Sequence, residues 1–217
     1  MNKIQIKNAF LFLVLVPTFL VVCSSFVGNN KGNKGLKVGK SAPMSDVKLQ
    51  DVDNATKSLN ELKLENGLLV VFSCNTCPFV VGNDHFAGWE VQYNELNTLA
   101  IDKKVGMVLI NSNEAKRANE DSFEAMKLHA SEKGYTMPYL VDTDSKMADA
   151  FGAKTTPHVY LFDKSMKLVY TGSIDNTWDT KRTVDEIYLK NALETLSKGE
   201  KIKEKETTPR GCSIKRK

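Results

Sequence analysis

The chain has 217 residues, 41% of them hydrophobic and 26% charged, with a formal net charge of +4. The charge is uneven: 198–217 holds eight basic and three acidic residues, which leaves 20 basic against 23 acidic in 23–197. The body is therefore mildly acidic, which excludes a basic nucleic-acid-binding domain, and its length suits one domain of ordinary size.

Residues 1–27 read as a Sec-type signal peptide. Lys3 and Lys7 make a basic n-region, and the apolar stretch from Ala9 to Val22 is interrupted by Pro17 and Thr18. It is shorter than the ~20 residues a spanning helix needs. An uncleaved N-terminal membrane tether is one alternative. Leu20-Val21-Val22-Cys23 also resembles a lipoprotein lipobox, in which Cys23 would carry lipid. The expected location is outside the cytoplasm, in the periplasm or cell envelope, with Cys23 as the anchor in the lipobox case. Residues 28–40 (GNNKGNKGLKVGK) read as a flexible spacer. The folded domain is expected over 41–197, followed by a basic tail over 198–217 that carries Cys212. The mixed charges of Lys201 to Glu206 suggest that this tail is solvated.

Val47 to Val52 alternates as a strand does, Asp53-Asn54 supplies a turn, and Thr56 to Leu59 fits the return strand of a hairpin. Leu68 to Phe72 is a continuous apolar run after Asn66-Gly67, which reads as a buried strand. A helix follows over 78–99. It opens with Pro78, is interrupted near Gly82 and Gly88, and has Trp89, Tyr93, Leu96 and Leu99 at core spacing. Val105 to Ile110 is the next buried strand. A helix runs from the acidic start Asn119-Glu120-Asp121-Ser122 to Lys133 and ends at Gly134. Pro138 to Val141 is a short strand, and Ser145 to Phe151 a short helix closed by Gly152. His158 to Phe162 and Leu168 to Thr171 are strands around the turn at 163–166. Thr183 to Leu196 is a final amphipathic helix. This order implies an α/β fold, a mixed central sheet flanked by helices with an N-terminal β-hairpin extension.

The chemistry concentrates at Cys74-Asn75-Thr76-Cys77, at the end of the first buried strand. Two cysteines at that spacing can close and reopen a small disulfide. A helix N-terminus there would stabilise a thiolate. A zinc half-site and a static disulfide are the bland readings. A Cys₄ zinc site needs a second pair, and Cys23 and Cys212 are far apart and unlike in context.

This motif together with Thr155-Thr156-Pro157 before a buried strand resembles the thioredoxin-like superfamily. Within it, the opening Gly39-Lys40-Ser41-Ala42-Pro43 resembles the redoxin branch related to the AhpC/TSA peroxiredoxins. The resemblance covers 38–197 and implies a thioredoxin-like fold in which Pro157 is cis and lies against the cysteines. A proline there has no N–H, and the backbone of Thr156 would be free to pair with an extended substrate. The resemblance further implies that Cys74 is the attacking thiolate, nearer the strand end and more exposed, and that Cys77 resolves. Ser73 and Asn75-Thr76 depart from the thioredoxin pattern of Trp before the pair and Gly-Pro within it. No acidic residue in 68–72 offers a base.

The expected function is exported thiol–disulfide exchange through a Cys74–Cys77 redox couple with no organic cofactor. The partners would be a protein or small-molecule disulfide or thiol and an upstream redox partner. A peroxiredoxin-like antioxidant peroxidase is one alternative, but neither cysteine sits in Pro-x-x-x-Thr/Ser-x-x-Cys. A Sco-like copper protein is the other, with Cys74, Cys77 and His158 as ligands. For His158 alone, a buried strand residue is the plainer reading, and His85 and His129 read as helix-surface residues. Cys212 is the odd thiol: an additional redox residue resolving a mixed disulfide with Cys74, a metal ligand, or a free thiol on a mobile tail. Gly211 gives the chain there freedom to turn.

Overall fold

The computed structural model describes Met1 and residues 35–217. The signal-peptide reading, Cys23 and the first part of the spacer fall outside the described residues. The elements are β1 (Leu49–Asp51), β2 (Thr56–Lys57), α1 (Leu59–Leu62), β3 (Gly67–Ser73), α2 (Pro78–Val81), α3 (Tyr93–Asp102), β4 (Val105–Asn111) and α4 (Phe123–Glu132). They continue with β5 (Tyr139–Val141), α5 (Lys146–Phe151), β6 (Thr155–Thr156), β7 (His158–Asp163), β8 (Leu168–Gly172), α6 (Tyr188–Ser197) and β9 (Cys212–Ser213). Seven strands form one mixed sheet in the order β2-β1-β5-β4-β3-β7-β8, and β6 pairs with β9 in a separate ribbon. Strands β3, β4 and β5 are parallel neighbours, and β7 runs antiparallel to β3.

The continuous apolar runs are explained by the two covered faces. Successive strand residues point to opposite sides. Leu69, Val71, Met107, Leu109, Val159 and Leu161 face a core shared with α3, α4 and α6. Leu68, Val70, Phe72, Val108, Ile110, Tyr160 and Phe162 face a second core shared with α1 and α5. Phe72 is fully buried and meets Phe151 and Tyr160 edge-on at centroid separations of 5.3 and 5.7 Å. Phe72→Ala is expected to destabilise the fold by about 3–5 kcal/mol, the usual cost of emptying a buried ring site. Denaturant unfolding checks this: a midpoint unchanged from the parent would contradict the packing argument.

Several sequence expectations are corrected here. Thr56 to Leu59 is strand only at Thr56–Lys57. Ser58 instead caps α1, its hydroxyl accepting from the Glu61 N–H while the Glu61 carboxylate accepts from the Ser58 N–H. The segment after Cys77 is interrupted where expected, and the reason is steric. Gly88 has φ +79°, and a side chain there would meet the Val80 carbonyl oxygen at 2.3 Å. The last helix begins at Tyr188 rather than Thr183. Asn176 holds the preceding loop through Val184 and Glu186, and Val184 is left exposed. The spacer reading over 28–40 fails from Leu36 onward, because the Leu36 N–H donates to Phe151 and the Gly39 N–H to Leu168.

The tail at 198–217 is not a solvated segment. Ile202 and Ile214 are buried, one in each core. Thr171 and Thr207 exchange backbone hydrogen bonds with the chain across the β8 edge, Thr171 N–H donating to Lys205 and Thr207 N–H to Thr171. Apolar residues spaced through a charged segment carry that packing, and alternating charge hides it from a composition argument.

Candidate active site

The parallel strands β3 and β4 end side by side, Ser73 opposite Asn111. Ligand sites in such sheets gather beyond the carboxyl ends of the strands. Cys74 to Cys77 follows β3 directly. Because β7 pairs with β3 from Phe72 opposite His158, the residues before β7 lie against this loop. The Thr156-Pro157 peptide bond is cis, as the resemblance implies.

Three free thiols meet there: Cys74, Cys77 and Cys212. The Cys74 sulfur is 3.1 Å from the Thr156 hydroxyl. The Cys77 thiol donates to the Thr156 carbonyl at 3.1 Å, and the Cys212 backbone N–H donates to the Cys77 sulfur at 3.3 Å. Exposure runs opposite to expectation. Cys74 is 1% exposed and Cys77 5%, while Cys212 is only half-buried. Cys74 and Cys77 both line an open cleft of about 180 Å³ rimmed by Thr156, Cys212, Lys116 and Lys215, Cys77 being the slightly less buried of the two. Two larger clefts, of about 380 and 590 Å³, border α6 and residues 198–204 and are lined by no cysteine.

The sulfurs are electrostatically unequal. A hydrogen bond from the Cys74 thiol, with further donors from Cys212 and Thr156, lowers Cys77 to about 5 despite its burial. The bond to Cys77 and then burial hold Cys74 well above an ordinary thiol. Burial, then the neighbouring Cys77, raises Cys212 to about 11. The expected helix contribution is small, because α2 is only four residues long. Direct donors to sulfur do that work instead.

The loop between the two cysteines is held by a buried polar network that sequence reasoning missed. Asp121 is fully buried and accepts from the Asn75 N–H at 2.9 Å, from Asn111 Nδ2 at 2.7 Å and from Asn113 Nδ2 at 3.0 Å. Tyr139 donates its hydroxyl proton to Asn75 Oδ1 and accepts from Asn111 Nδ2, each at 2.9 Å. Arg117 lies beside this network but donates through Nη1 and Nη2 to the Asp121 and Asn111 carbonyls. The available signal was Asn111-Ser112-Asn113, three polar residues at the carboxyl end of a buried parallel strand.

The copper ligand set is not brought together. His158 shares its sheet face with Tyr160, whereas Val159 and Leu161 share the face that holds Cys74 and Cys77. Its Nε2 lies 3.3 Å from the Thr171 hydroxyl, and its Nδ1 lies near Tyr160 and the Lys154 N–H. Burial lowers its imidazole to about 3. His158 is the buried strand residue that the plainer reading expected. His85 lies in an exposed turn rather than on a helix. His129 is on α4, half-buried, at 2.7 Å from the Glu90 carboxylate.

The redoxin family profile matches residues 37–188. An uncharacterized conserved protein from Geobacillus kaustophilus is 36% identical, covering 83% of this chain and 93% of that one, with a TM-score of 0.74. A hypothetical protein from Sinorhizobium meliloti is 28% identical over 85% and 97%, with a TM-score of 0.73. The thioredoxin domain of a thiol-disulfide oxidoreductase from Bacteroides vulgatus is 18% identical over 75% and 99%, TM-score 0.54, a likeness of fold. No functionally curated protein matches the chain. With its fold thioredoxin-like and the profile running through all seven strands of the main sheet, the chain belongs to the redoxin family.

Proposed function

We propose that the protein is a thiol–disulfide oxidoreductase whose redox couple is Cys74–Cys77, with Cys77 rather than Cys74 as the attacking thiolate. The observation that carries this is the pair of sulfurs against the Thr156-Pro157 turn in one cleft, with the Cys77 sulfur the less buried of the two and the one that receives the Cys212 N–H. In the reducing direction the Cys77 thiolate attacks a substrate disulfide and expels one substrate thiol. Cys74 then gives up its proton, attacks Cys77 and releases the second. Two electrons leave the enzyme and the Cys74–Cys77 bond forms.

The direction follows from the same asymmetry. A thiolate stabilised at about pKa 5 favours the reduced enzyme at neutral pH. This makes the couple more oxidising than one of ordinary thiols. The couple is therefore expected to act as an oxidant of thiols, and its potential to be less negative than thioredoxin's ~−270 mV. Equilibration with glutathione buffers, with and without Cys212, measures it. A potential at or below thioredoxin's would reject the oxidising assignment. The absence of any Cys74–Cys77 disulfide would reject the function. Export rests on the apolar N-terminal stretch Ala9 to Val22 and suits a disulfide-forming enzyme.

A further inference from the structure

We propose that Cys212 is a third redox thiol, through which the C-terminal strand carries the disulfide from the buried Cys74–Cys77 pair out to the protein surface. This rests on the Cys74–Cys77 couple proposed above and assigns it a route to its partner.

The placement of β9 carries the argument. The backbone of Thr156, where an extended substrate was expected to pair, is already paired: Thr156 lies opposite Cys212 and Thr155 opposite Ser213. The approach is close enough to require glycine. A side chain on Gly211 would meet the Thr156 carbonyl oxygen at 2.2 Å and its carbon at 2.7 Å. The strand is tied on both sides. The Arg210 N–H donates to Ser173 Oγ, and the Ile214 N–H to the Lys154 carbonyl. The Lys215 N–H donates to Asn113 Oδ1 at 2.9 Å, which joins the strand to the network under Asn75. Cys212 is thus held in place, with its N–H on the Cys77 sulfur at 3.3 Å. A Cys74–Cys77 disulfide at 1% and 5% exposure is open through its cleft to a small thiol but offers a protein thiol little access, whereas Cys212 is half-buried.

The relay balances without an added oxidant. The Cys212 thiolate attacks the Cys77 sulfur of the oxidised pair. The Cys77–Cys212 bond forms, the Cys74–Cys77 bond breaks, and Cys74 leaves as a thiolate that takes up the proton Cys212 lost. No electrons are gained or lost in this step. A dithiol partner then attacks the Cys212 sulfur and expels Cys77, the best leaving group of the three. The partner's second thiol closes its own disulfide and returns Cys212 as a thiol, so the partner loses two electrons and the enzyme gains them. Burial holds the Cys212 thiol up in both states, and once Cys77 is in a disulfide its smaller push on Cys212 is gone.

The test uses the full chain. Cys74→Ser oxidised with glutathione disulfide, alkylated and peptide-mapped is expected to hold a Cys77–Cys212 disulfide in most molecules. A stable Cys77–glutathione adduct beside an alkylated Cys212 would overturn the proposal. Adding Gly211→Val to that variant is expected to slow closure at least tenfold, and equal closure would overturn the role of the strand. Cys212→Ser is expected to slow reduction of the oxidised enzyme by thioredoxin, the dithiol probe, at least tenfold; an unchanged rate would overturn the relay. The underlying couple is read separately. If oxidised Cys212→Ser contains no Cys74–Cys77 disulfide, that reading fails whatever the tail does.

Discussion

Cys77→Ser is expected to abolish thiol–disulfide exchange, lowering turnover by roughly 10³-fold or more, the scale on which a lost nucleophile registers. Cys74→Ser is expected to leave the first half-reaction intact and to pass the mixed disulfide from Cys77 to Cys212, so that substrate stays trapped on Cys77 only when Cys212 is replaced as well. The pH dependence separates the two cysteines. The Cys77 thiol is shifted down to about 5, so its thiolate fraction rises through that pH and is complete by neutrality. Single-turnover attack on a small disulfide should therefore rise as pH increases through about 5 and then level off. An ordinary thiol would go on rising towards ~8.5. Cys74 is shifted the other way, so a second thiolate step belongs well above the ordinary thiol range. Cys77→Ser should remove the low step in the ultraviolet thiolate titration. The same substitution should lower Cys74, since the bond to Cys77 is the largest of the effects holding it up. A low step that survives Cys77→Ser would assign the thiolate to Cys74, as the family resemblance implied.

Much of this fold is legible in the sequence because its strands are buried on both faces. Leu68 to Phe72 and Val105 to Ile110 read as continuous apolar runs, and that pattern places them in the middle of the sheet. The cysteine pair and Pro157 were legible for the same reason, since each adjoins such a run. Ser58 and Glu61 also announce a helix start, though the hairpin pattern overshadowed it. What sequence reasoning missed was set by long-range contact. Residues 198–217 have charges at nearly every second position, and nothing local in them shows that Ile214 joins the core that holds Phe151 or that Gly211 lies on the Thr156 carbonyl. The relative exposure of two cysteines three residues apart depends on what covers them, and the cover includes a strand from the far end of the chain.

Asp121→Ala is expected to destabilise the protein by about 3–5 kcal/mol and to loosen the cysteine loop. The carboxylate is fully buried and holds three donors: the Asn75 N–H and the amides of Asn111 and Asn113. Alanine leaves all three facing a cavity without an acceptor, and each buried donor left unpaired costs about 1–3 kcal/mol. Asp121→Asn keeps the volume and one acceptor oxygen but turns an amide towards at least one donor, so a smaller loss, about 1–3 kcal/mol, is expected. Chemical denaturation of both variants measures the order, and equal losses would show that packing rather than hydrogen bonding dominates. The redox readout is independent. Cys74 is held up by its bond to Cys77 and by burial, with the Asp121 charge adding a further push. Removing that charge should bring the second thiolate step down while the first stays near pH 5. Asp121 is two residues before the start of α4, in an acidic run that reads as an ordinary helix entry. Its neighbour Ser122 does cap that helix, the hydroxyl accepting from the Ala125 N–H. Asp121 itself turns inward, and through Asn113 the same carboxylate reaches the Lys215 N–H of the tail. One buried charge therefore joins the loop between the cysteines to the strand that carries the third. Loosening it should slow Cys77–Cys212 closure even though Asp121 touches no sulfur.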